Sequence, residues 1–327
     1  MPAKTSVVAS SFDATDSSFI GQLDELTINW HVTEACNYRC QYCYAHWKDR
    51  PDPRELFHDP RRTRTLLDEL FRFFHPDNAA NPLRKNLSWK FVRLNLAGGE
   101  PTLLHHRLLA VASVAREIGF RLSIISNGSG LSRDMLEELV PSLSYLGISL
   151  DSVSAFSNRE IGRIDRKGRL LDIGRLAADV RWARTINPRM AVKLNTVVNR
   201  LNAEQDLSEL VAQFQPDRWK LLRMLPVVDQ SLAVSDEQFL AFVDRHRAFR
   251  AVQCIEDSQD MCESYLMVDP FGRLFQNRPA PCTDGYVYSQ PIVAVGAATA
   301  FSQIAFNSSG FQSRYAVESE RADHAEV

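Results

Sequence analysis

The stretch that decides the fold joins a predicted strand to three cysteines: Leu26-Thr-Ile-Asn-Trp-His-Val-Thr33, then Glu34-Ala-Cys-Asn-Tyr-Arg-Cys-Gln-Tyr-Cys-Tyr44. Cys36, Cys40 and Cys43 have C-x3-C-x2-C spacing, and three thiolates this close can hold one face of a [4Fe–4S] cluster. The fourth iron would stay open for a ligand, which suits chemistry better than electron relay. Zinc with His46 as fourth ligand is the alternative, but no second pair follows at zinc-finger spacing.

Strand-like and helix-like segments alternate along the chain. The predicted strands are residues 26–33, 91–96, 122–126, 146–150, 191–198 and 219–225, and the predicted helices are 62–74, 103–118, 133–139, 170–185, 207–214 and 236–247. Six βα units predict a parallel sheet. A closed barrel of this type has eight units, so the sheet is expected to form only part of a barrel. We therefore expect an α/β fold, a partial (βα)6 barrel over residues 23–250. A flexible tail (1–22) precedes it, and a C-terminal extension (251–327) with a hairpin at 264–277 caps the active site.

Polar residues occupy one face of five predicted strands. Side chains alternate between the two faces of a strand, and the apolar set is expected to face the helices. The polar set would then point inward, where unpaired charge is costly to bury. Its cations favour a hydrated cavity that binds a polyanion such as a triphosphate. The alternative is that these charged residues lie at strand ends and contact water. That interpretation can apply to Arg93 or Arg218 singly, but it does not readily explain polar residues on five strands at once. The set includes Arg93, Asn95, Ser149, Lys193, Asn195, Arg218 and Lys220.

Composition narrows the function classes. The chain has 327 residues, 45% hydrophobic and 24% charged, with a formal charge of −2, which is typical of a globular enzyme. No apolar stretch approaches the ~18–20 residues of a membrane span, and the N-terminus lacks a signal-peptide pattern. No basic stripe indicates nucleic-acid binding. Clustering of three of the six cysteines fits metal binding in a reducing compartment. We expect a cytoplasmic monomer that binds neither membranes nor nucleic acids.

The cysteine run resembles the cluster loop of the radical S-adenosylmethionine (radical SAM) enzymes, with Tyr42 at the aromatic position before the last cysteine. Ala97-Gly-Gly-Glu-Pro101 resembles the glycine-rich strand end of that family. Between residues 26 and 277, further segments resemble the viperins, a family of radical SAM enzymes. They are Ser123-Ile-Ile-Ser-Asn-Gly-Ser129, Ile148-Ser-Leu-Asp-Ser152, Ile161-Gly-Arg163, Lys193-Leu-Asn-Thr-Val-Val-Asn-Arg200, Arg218-Trp-Lys220 and Ser264-Tyr-Leu-Met-Val-Asp269.

The resemblance implies a reaction. A [4Fe–4S] cluster on the three cysteines and S-adenosylmethionine would generate a 5′-deoxyadenosyl radical, which removes the 4′-hydrogen of a nucleoside triphosphate. Loss of the 3′-hydroxyl as water, with one electron and one proton taken up, would give the 3′-deoxy-3′,4′-didehydro nucleotide, an antiviral chain terminator. The expected electron donor is of the flavodoxin or ferredoxin type.

The resemblance also assigns roles to residues, many of them at predicted strand ends, where βα barrels carry their active sites. Tyr265 is expected to supply the final hydrogen, although an ordinary strand aromatic is the alternative. S-adenosylmethionine is assigned to Tyr42, Gly98, Gly99, Glu100, Ser126, Asn127 and Ser149. The triphosphate is assigned to Arg93, Asn95, Arg163, Lys193, Asn195, Arg218 and Lys220.

Departures from the family pattern limit these assignments. Ala97 replaces a serine of vertebrate viperins and Arg93 replaces a lysine. Apart from Arg314 and Tyr315, the C-terminal region barely matches, which leaves the preferred nucleobase open. Two other interpretations are a radical SAM enzyme acting on a peptide and a zinc-stabilised module without catalytic activity. The first usually needs extra cluster domains, which the three remaining cysteines cannot build.

Overall fold

The computed structural model describes residues 21–43, 48–226, 230–257, 260–277 and 286–314. Its strands are β1 Gly21–Thr33, β2 Leu87–Gly98, β3 Arg121–Ser126, β4 Leu143–Ser149, β5 Ala191–Val198, β6 Arg218–Arg223, β7 Gln253–Glu256, β8 Leu266–Val268, β9 Arg273–Asn277 and β10 Tyr286–Pro291. Its helices are α1 Pro60–Phe74, α2 His106–Ile118, α3 Arg133–Leu139, α4 Ala155–Ile161, α5 Ile173–Ile186, α6 Ser208–Phe214, α7 Asp236–Arg245, α8 Ile292–Val295 and α9 Ala297–Phe301.

The described strands form one sheet in the order β10-β9-β8-β1-β2-β3-β4-β5-β6-β7. Neighbours from β1 to β7 are parallel, and β8 pairs in parallel with β1 on its other side. Only the β8–β9 and β9–β10 pairs are antiparallel among these strands. The predicted α/β fold with a parallel sheet is confirmed, and so is the hairpin, which turns at Gly272 with a φ of 78°.

Helix α1 shows why the helices form where they do. Pro60 starts it with a φ already suited to a helix, and the Asp59 side chain accepts hydrogen bonds from two free amides of the first turn. Leu66, Leu67 and Leu70 recur on one face and are fully buried. That face packs on the outward apolar side of the sheet, so the other side is left for the site.

The sheet curves until its distant parts meet. Tyr265 directly precedes β8, whereas Glu256 ends β7 at the far margin of the sheet, yet their side chains are hydrogen bonded. Within the described residues β7 does not pair with β8, so the curved sheet is open along this line. The inward face is therefore the wall of a partial barrel.

Some elements differ from the sequence-based expectation. β1 begins at Gly21 and β2 at Leu87, each several residues early, because pairing such as Gly21 with Leu87 extends strands through polar sequence. Helix α4, strands β7 and β10, and helices α8 and α9 were not predicted. The domain boundaries stay predictions, and most of the proposed tail lies outside the described residues. No helix in the described ranges is long and apolar enough to cross a membrane.

Candidate active site

A cavity of about 300 Å³ lies on the inward face of the sheet. It is lined by strands β1 to β6, by residues 36–43, named here the cluster loop, and by Tyr265. All but two of the predicted site residues line it. They are Cys36, Cys40, Cys43, Tyr42, Gly98, Gly99, Ser126, Asn127, Ser149, Arg93, Asn95, Arg163, Lys193, Asn195, Lys220 and Tyr265. The structure thus brings both predicted residue sets into one cavity, and their individual roles stay predictions.

Glu100 is the first residue that does not line the cavity. It has no exposed surface, and its carboxylate accepts hydrogen bonds from Thr102 N (3.0 Å), Ser126 Oγ (2.8 Å) and Asn127 N (2.7 Å). Burial raises the pKa of this carboxyl, against the opposing effect of those donors. Glu100 joins the ends of β2 and β3 and holds Ser126 and Asn127, and its predicted contact with S-adenosylmethionine stays a prediction.

Arg218 is the second predicted site residue that does not line the cavity. It is buried, with 4% of its surface exposed, and is the register partner of Lys193 on β5. Its charge still acts there, since it contributes to lowering the pKa of Lys193. Arg218 therefore contributes to the positive potential around Lys193, and its predicted contact with the triphosphate stays a prediction.

The cluster loop is anchored by backbone hydrogen bonds to the end of α4. Arg39 N donates to Gly162 O (3.0 Å) and Gln41 N donates to Ile161 O (2.9 Å). Gly162 has a φ of 89°, and a Cβ there would overlap the Arg39 carbonyl. Only glycine allows this close approach.

The donor set of the cluster loop fits a [4Fe–4S] cluster. Three cysteines line one cavity, and in a cubane each would bind a different iron. Among the described residues no three His, Cys, Asp or Glu side chains converge on one ion, as tetrahedral zinc requires. His46, the proposed fourth zinc ligand, lies outside them. Burial raises the pKa of Cys36 to about 11 and also raises that of Cys40, so binding iron must displace thiol protons.

Two glycines bring the end of β2 against residues 33–35, which lead from β1 into the cluster loop. Gly98 has a φ of 132°, and a Cβ there would lie 2.6 Å from Thr33 O. Gly99 N donates to Thr33 O (2.8 Å) and Glu100 N donates to Ala35 O (2.7 Å). A Cβ on Gly99 would overlap the Ala35 carbonyl. This strand end therefore fixes the position of the cluster loop.

Replacing Gly99 by alanine should push β2 away from the cluster loop. We expect a cost of about 1–3 kcal/mol in the free energy of unfolding, as for other overpacked sites, and a lower iron content after reconstitution. Gly174 in α5 is the matched control, because the nearest atom to its added Cβ is 3.7 Å away and alanine favours helices. Denaturant unfolding and iron analysis of both variants test this. A Gly99→Ala protein with wild-type stability and iron content would contradict the described packing.

Asn127 is fixed by a side-chain network that sequence reasoning missed. Its Nδ2 donates to Asn37 Oδ1 (2.9 Å), and Asn37 Nδ2 donates to Ser129 Oγ (2.9 Å). Ser129 Oγ in turn donates to Asn127 Oδ1 (2.6 Å). The network links the cluster loop to the end of β3. Asn37 lies between two of the cysteines, which was the available signal.

Tyr42 and Arg163 share one carboxylate at the end of β4. The Tyr42 hydroxyl donates to Asp151, and Arg163 Nη1 lies 3.1 Å from both the Tyr42 oxygen and Asp151 Oδ2. Burial, and then the Asp151 charge, raises the pKa of Tyr42 well above its usual value. Arg163 thus lies beside the cluster loop, in contact with Tyr42. Its predicted phosphate contact stays a prediction, while its contacts here stabilise the loop.

Two of the strand cations that line the cavity are already paired with carboxylates. Arg93 Nε lies 2.6 Å from Glu25 Oε2, and Lys220 pairs with Glu256. Asn95 Nδ2 donates to Asn29 Oδ1 (2.8 Å). Sequence reasoning missed both counterions, although Glu25 falls two residues before Thr27 on the face that carries Asn29 and His31.

Lys193 differs from its neighbours. It is half-buried at the cavity surface, and no side-chain hydrogen bond or salt bridge of Lys193 is found in the described part of the chain. Burial lowers its pKa well below the usual value, and Lys220, Arg93 and Arg218 lower it further. The empty cavity therefore has a surplus of positive charge, which an anion would relieve.

Comparison with known proteins agrees with this geometry. The model of the radical SAM superfamily matches residues 30–198. The chain belongs to that superfamily. It is 42% identical to a Pseudoalteromonas ulvae protein named S-adenosylmethionine-dependent nucleotide dehydratase, over 90% of this chain and 94% of the relative. A Psychrobacter lutiphocae protein of the same name is 39% identical, over 89% and 95%. A Danio rerio protein, S-adenosylmethionine-dependent nucleotide dehydratase RSAD2, is 28% identical, over 77% and 67%.

These relatives place the chain among the nucleotide dehydratases of the radical SAM superfamily and confirm the predicted family. As a radical SAM enzyme it uses a [4Fe–4S] cluster and S-adenosylmethionine. The zinc and peptide interpretations are not favoured. Among solved structures, anSMEcpe with bound AdoMet has a TM-score of 0.61 at 12% identity, covering 88% of this chain and 84% of its own. Streptococcus suis SuiB bound to precursor peptide SuiA has a TM-score of 0.53 at 15% identity, over 86% and 61%. These two likenesses concern the fold alone.

Proposed function

We propose that this radical SAM enzyme dehydrates a nucleoside triphosphate to its 3′-deoxy-3′,4′-didehydro analogue. The observation that carries the proposal is that one cavity has the cluster cysteines at one end and surplus cations at the other. The name of the close relatives, nucleotide dehydratase, supports the reaction class. The product lacks a 3′-hydroxyl and would terminate a growing RNA chain, which fits a role in antiviral defence.

In the cavity, the residues proposed to bind the phosphates lie at a distance from the cluster loop, where the radical would form. Arg93 and Gly98 both line the cavity, five residues apart on β2, which is about 16 Å at a rise of ~3.3 Å per residue. Lys193 and Lys220, with Arg93 and the amides of Asn95 and Asn195, would bind the phosphates at the deep end. The ribose would then lie between this end and the cluster loop.

The cofactors supply a 5′-deoxyadenosyl radical that removes hydrogen from the ribose. The protein holds them: Cys36, Cys40 and Cys43 would bind the cluster, and Tyr42, Gly98, Gly99, Ser126, Asn127 and Ser149 would surround S-adenosylmethionine. After C4′ loses hydrogen, departure of the 3′-hydroxyl as water needs one proton and one electron. Tyr265 lines the cavity and is proposed to supply them. A flavodoxin or ferredoxin would reduce the protein, and we propose a cytoplasmic monomer whose C-terminal extension covers the nucleobase.

Deuterium at ribose C4′ tests the reaction. Anaerobic incubation with S-adenosylmethionine, dithionite and each C4′-deuterated triphosphate in turn should place deuterium in 5′-deoxyadenosine. The nucleotide product should be lighter than the deuterated substrate by one HOD, which is the sum of the C4′ deuterium and the 3′-hydroxyl. A C3′-deuterated substrate is the matched control and should keep its deuterium in the product. Mass spectrometry measures both compounds. The proposal fails if no triphosphate stimulates formation of 5′-deoxyadenosine, or if the C4′ deuterium stays in the nucleotide.

A further inference from the structure

Tyr265 lies at the centre of a buried charge cluster formed by Lys220, Glu256 and Arg314. The Tyr265 hydroxyl donates a hydrogen bond to the Glu256 carboxylate, which also pairs with Lys220 and lies 3.3 Å from Arg314 Nε. The Arg314 guanidinium stacks on the Tyr265 ring at 3.7 Å, and Lys220 Nζ lies 5.6 Å from the ring centre. Lys220, Glu256 and Arg314 each expose 6% or less of their surface.

The ring and its hydroxyl face different surroundings. Tyr265 lines the cavity beside Lys220, whereas Glu256 does not line it. The backbone of Tyr265 is held by Gln276 Nε2, which donates to its carbonyl (2.6 Å), and Arg314 Nη1 donates to the carbonyl of Ser264 (2.8 Å). Tyr265 therefore lines the cavity that would hold the substrate, while its proton is directed to a carboxylate that does not line it.

We infer that Glu256 is a positioning residue that accepts the phenol proton when Tyr265 passes an electron to the substrate. The inference rests on the proposed function. A phenol flanked by two cations resists losing an electron unless its proton leaves at the same time, because the oxidised ring would add a third positive charge. Glu256 is the carboxylate in contact with that proton. Burial alone would raise the pKa of Glu256, but Lys220 and Arg314 bring it to about 2, so it is ionised and ready to accept.

The step balances in atoms and electrons. The phenol O–H bond breaks, its proton moves to the Glu256 carboxylate, and its electron moves to the ribose radical as the 3′-hydroxyl leaves as hydroxide. The proton on Glu256 then neutralises that hydroxide through water in the cavity, which restores the carboxylate. One electron from the flavodoxin or ferredoxin, with a proton from solvent, returns the Tyr265 radical to the phenol.

Glu256 also neutralises part of the positive charge around Lys193, so its replacement should affect nucleotide binding as well as proton transfer. Replacing Glu256 by glutamine keeps a hydrogen-bond acceptor but removes its charge, so the surplus positive charge of the cavity rises by one. The nucleotide should then bind several-fold more tightly. The yield of dehydrated nucleotide per 5′-deoxyadenosine should fall about 100-fold, the scale of a lost proton transfer. A loss of structure would weaken both.

The experiment uses the full cluster-loaded chain as wild type, Glu256→Gln, Glu256→Asp, Tyr265→Phe and the control Glu204→Gln, which removes an exposed charge. Calorimetry gives nucleotide affinity, and mass spectrometry gives dehydrated nucleotide per 5′-deoxyadenosine. Ultraviolet titration against Tyr265→Phe counterparts, without S-adenosylmethionine, gives the phenol pKa. We expect this pKa to fall by roughly one to three units in Glu256→Gln, because cations remain and the carboxylate charge is gone. Glu256→Asp should retain wild-type affinity and lose coupling, which keeps the test valid if the glutamine variant does not fold.

An unchanged yield per 5′-deoxyadenosine in either Glu256 variant, with dehydration intact in the wild type, would overturn the role of Glu256 alone. Weaker nucleotide binding in Glu256→Gln would also overturn it, since that result indicates a structural role. A wild-type enzyme that forms no dehydrated nucleotide would overturn the proposed function itself.

Discussion

Proteins in which Cys36, Cys40 and Cys43 are each replaced by alanine are expected to lose the iron–sulfur cluster and all cleavage of S-adenosylmethionine. The three thiols line one cavity and their loop is fixed by β2 and α4, so neighbouring side chains cannot replace a missing ligand. Iron and sulfide analysis after anaerobic reconstitution, with the visible absorption of the cluster, measures the effect.

The matched control for this prediction is Cys254→Ala. Cys254 is a free, partly exposed cysteine on β7 that does not line the cavity. Its replacement should leave about four irons per chain, the content of one [4Fe–4S] cluster. Cluster loss in Cys254→Ala, or retention of a full cluster in Cys40→Ala, would refute the three-cysteine assignment.

Replacing Lys193 by methionine is expected to weaken nucleoside triphosphate binding by roughly 10- to 100-fold. Methionine keeps most of the stem and removes the charge, and a hydrogen bond to a charged group is worth about 1.5–3 kcal/mol. Binding of S-adenosylmethionine should change little, because its predicted residues are on other elements. Lys85→Met, which removes an exposed lysine, is the control. Isothermal titration measures both ligands, and unchanged nucleotide affinity in folded Lys193→Met would refute the phosphate site.

The lowered pKa of Lys193 gives this binding a pH dependence. In the nucleotide-free protein the lysine loses its proton at a lower pH than usual, whereas bound phosphates favour the charged form and raise its pKa again. Between these two pKa values the protein must take up a proton on binding, so affinity falls as pH rises through that window. Titration in buffers of different ionisation enthalpy should detect the uptake in the wild type and a smaller uptake in Lys193→Met. Equal proton uptake in both proteins would contradict the assignment.

The same pKa has a consequence for the empty protein. Across the window between the native pKa of Lys193 and its unfolded value of about 10.4, the unfolded chain binds more protons. The Lys193 contribution therefore makes nucleotide-free stability rise with pH in that window. At lower pH, Lys193→Met should unfold at a higher temperature than the wild type, because it lacks a half-buried cation that lies among other cations.

Sequence patterns predicted the first six strands and their helices because the underlying signals are local. Alternation of Asn29 and His31 with apolar neighbours, or recurrence of Leu66, Leu67 and Leu70, is visible within one element. Strands β7 and β8 are only four and three residues long, and pairing with a distant strand decides that they form. Only the hairpin turn at Gly272 made β8 and β9 detectable. Strand β10 and helices α8 and α9 lacked any such turn signal.

In the candidate site, too, local sequence patterns predicted some features, and contacts between distant segments decided the others. Alternation placed Arg93, Lys193 and Lys220 on the inner face, because the strand period alone decides this. It did not reveal their counterions, since Glu256 reaches Lys220 from a neighbouring strand that the pattern missed. Glu100 was assigned by its position in a motif, yet its carboxylate turns back to the ends of its own and the adjacent strand. Which way a side chain turns at a strand end depends on donors brought there by the fold.

The contact between Tyr265 and Glu256 also determines how this barrel can open. In a closed barrel every margin is joined by a ladder of backbone hydrogen bonds, and parting two strands breaks many of them at once. Here, in the described ranges, β7 and the segment before β8 are joined by side chains alone. Individual side-chain hydrogen bonds contribute about 1 kcal/mol or a few times that when charged. Separating β7 from the segment before β8 would therefore cost fewer backbone hydrogen bonds than opening a closed barrel at any margin.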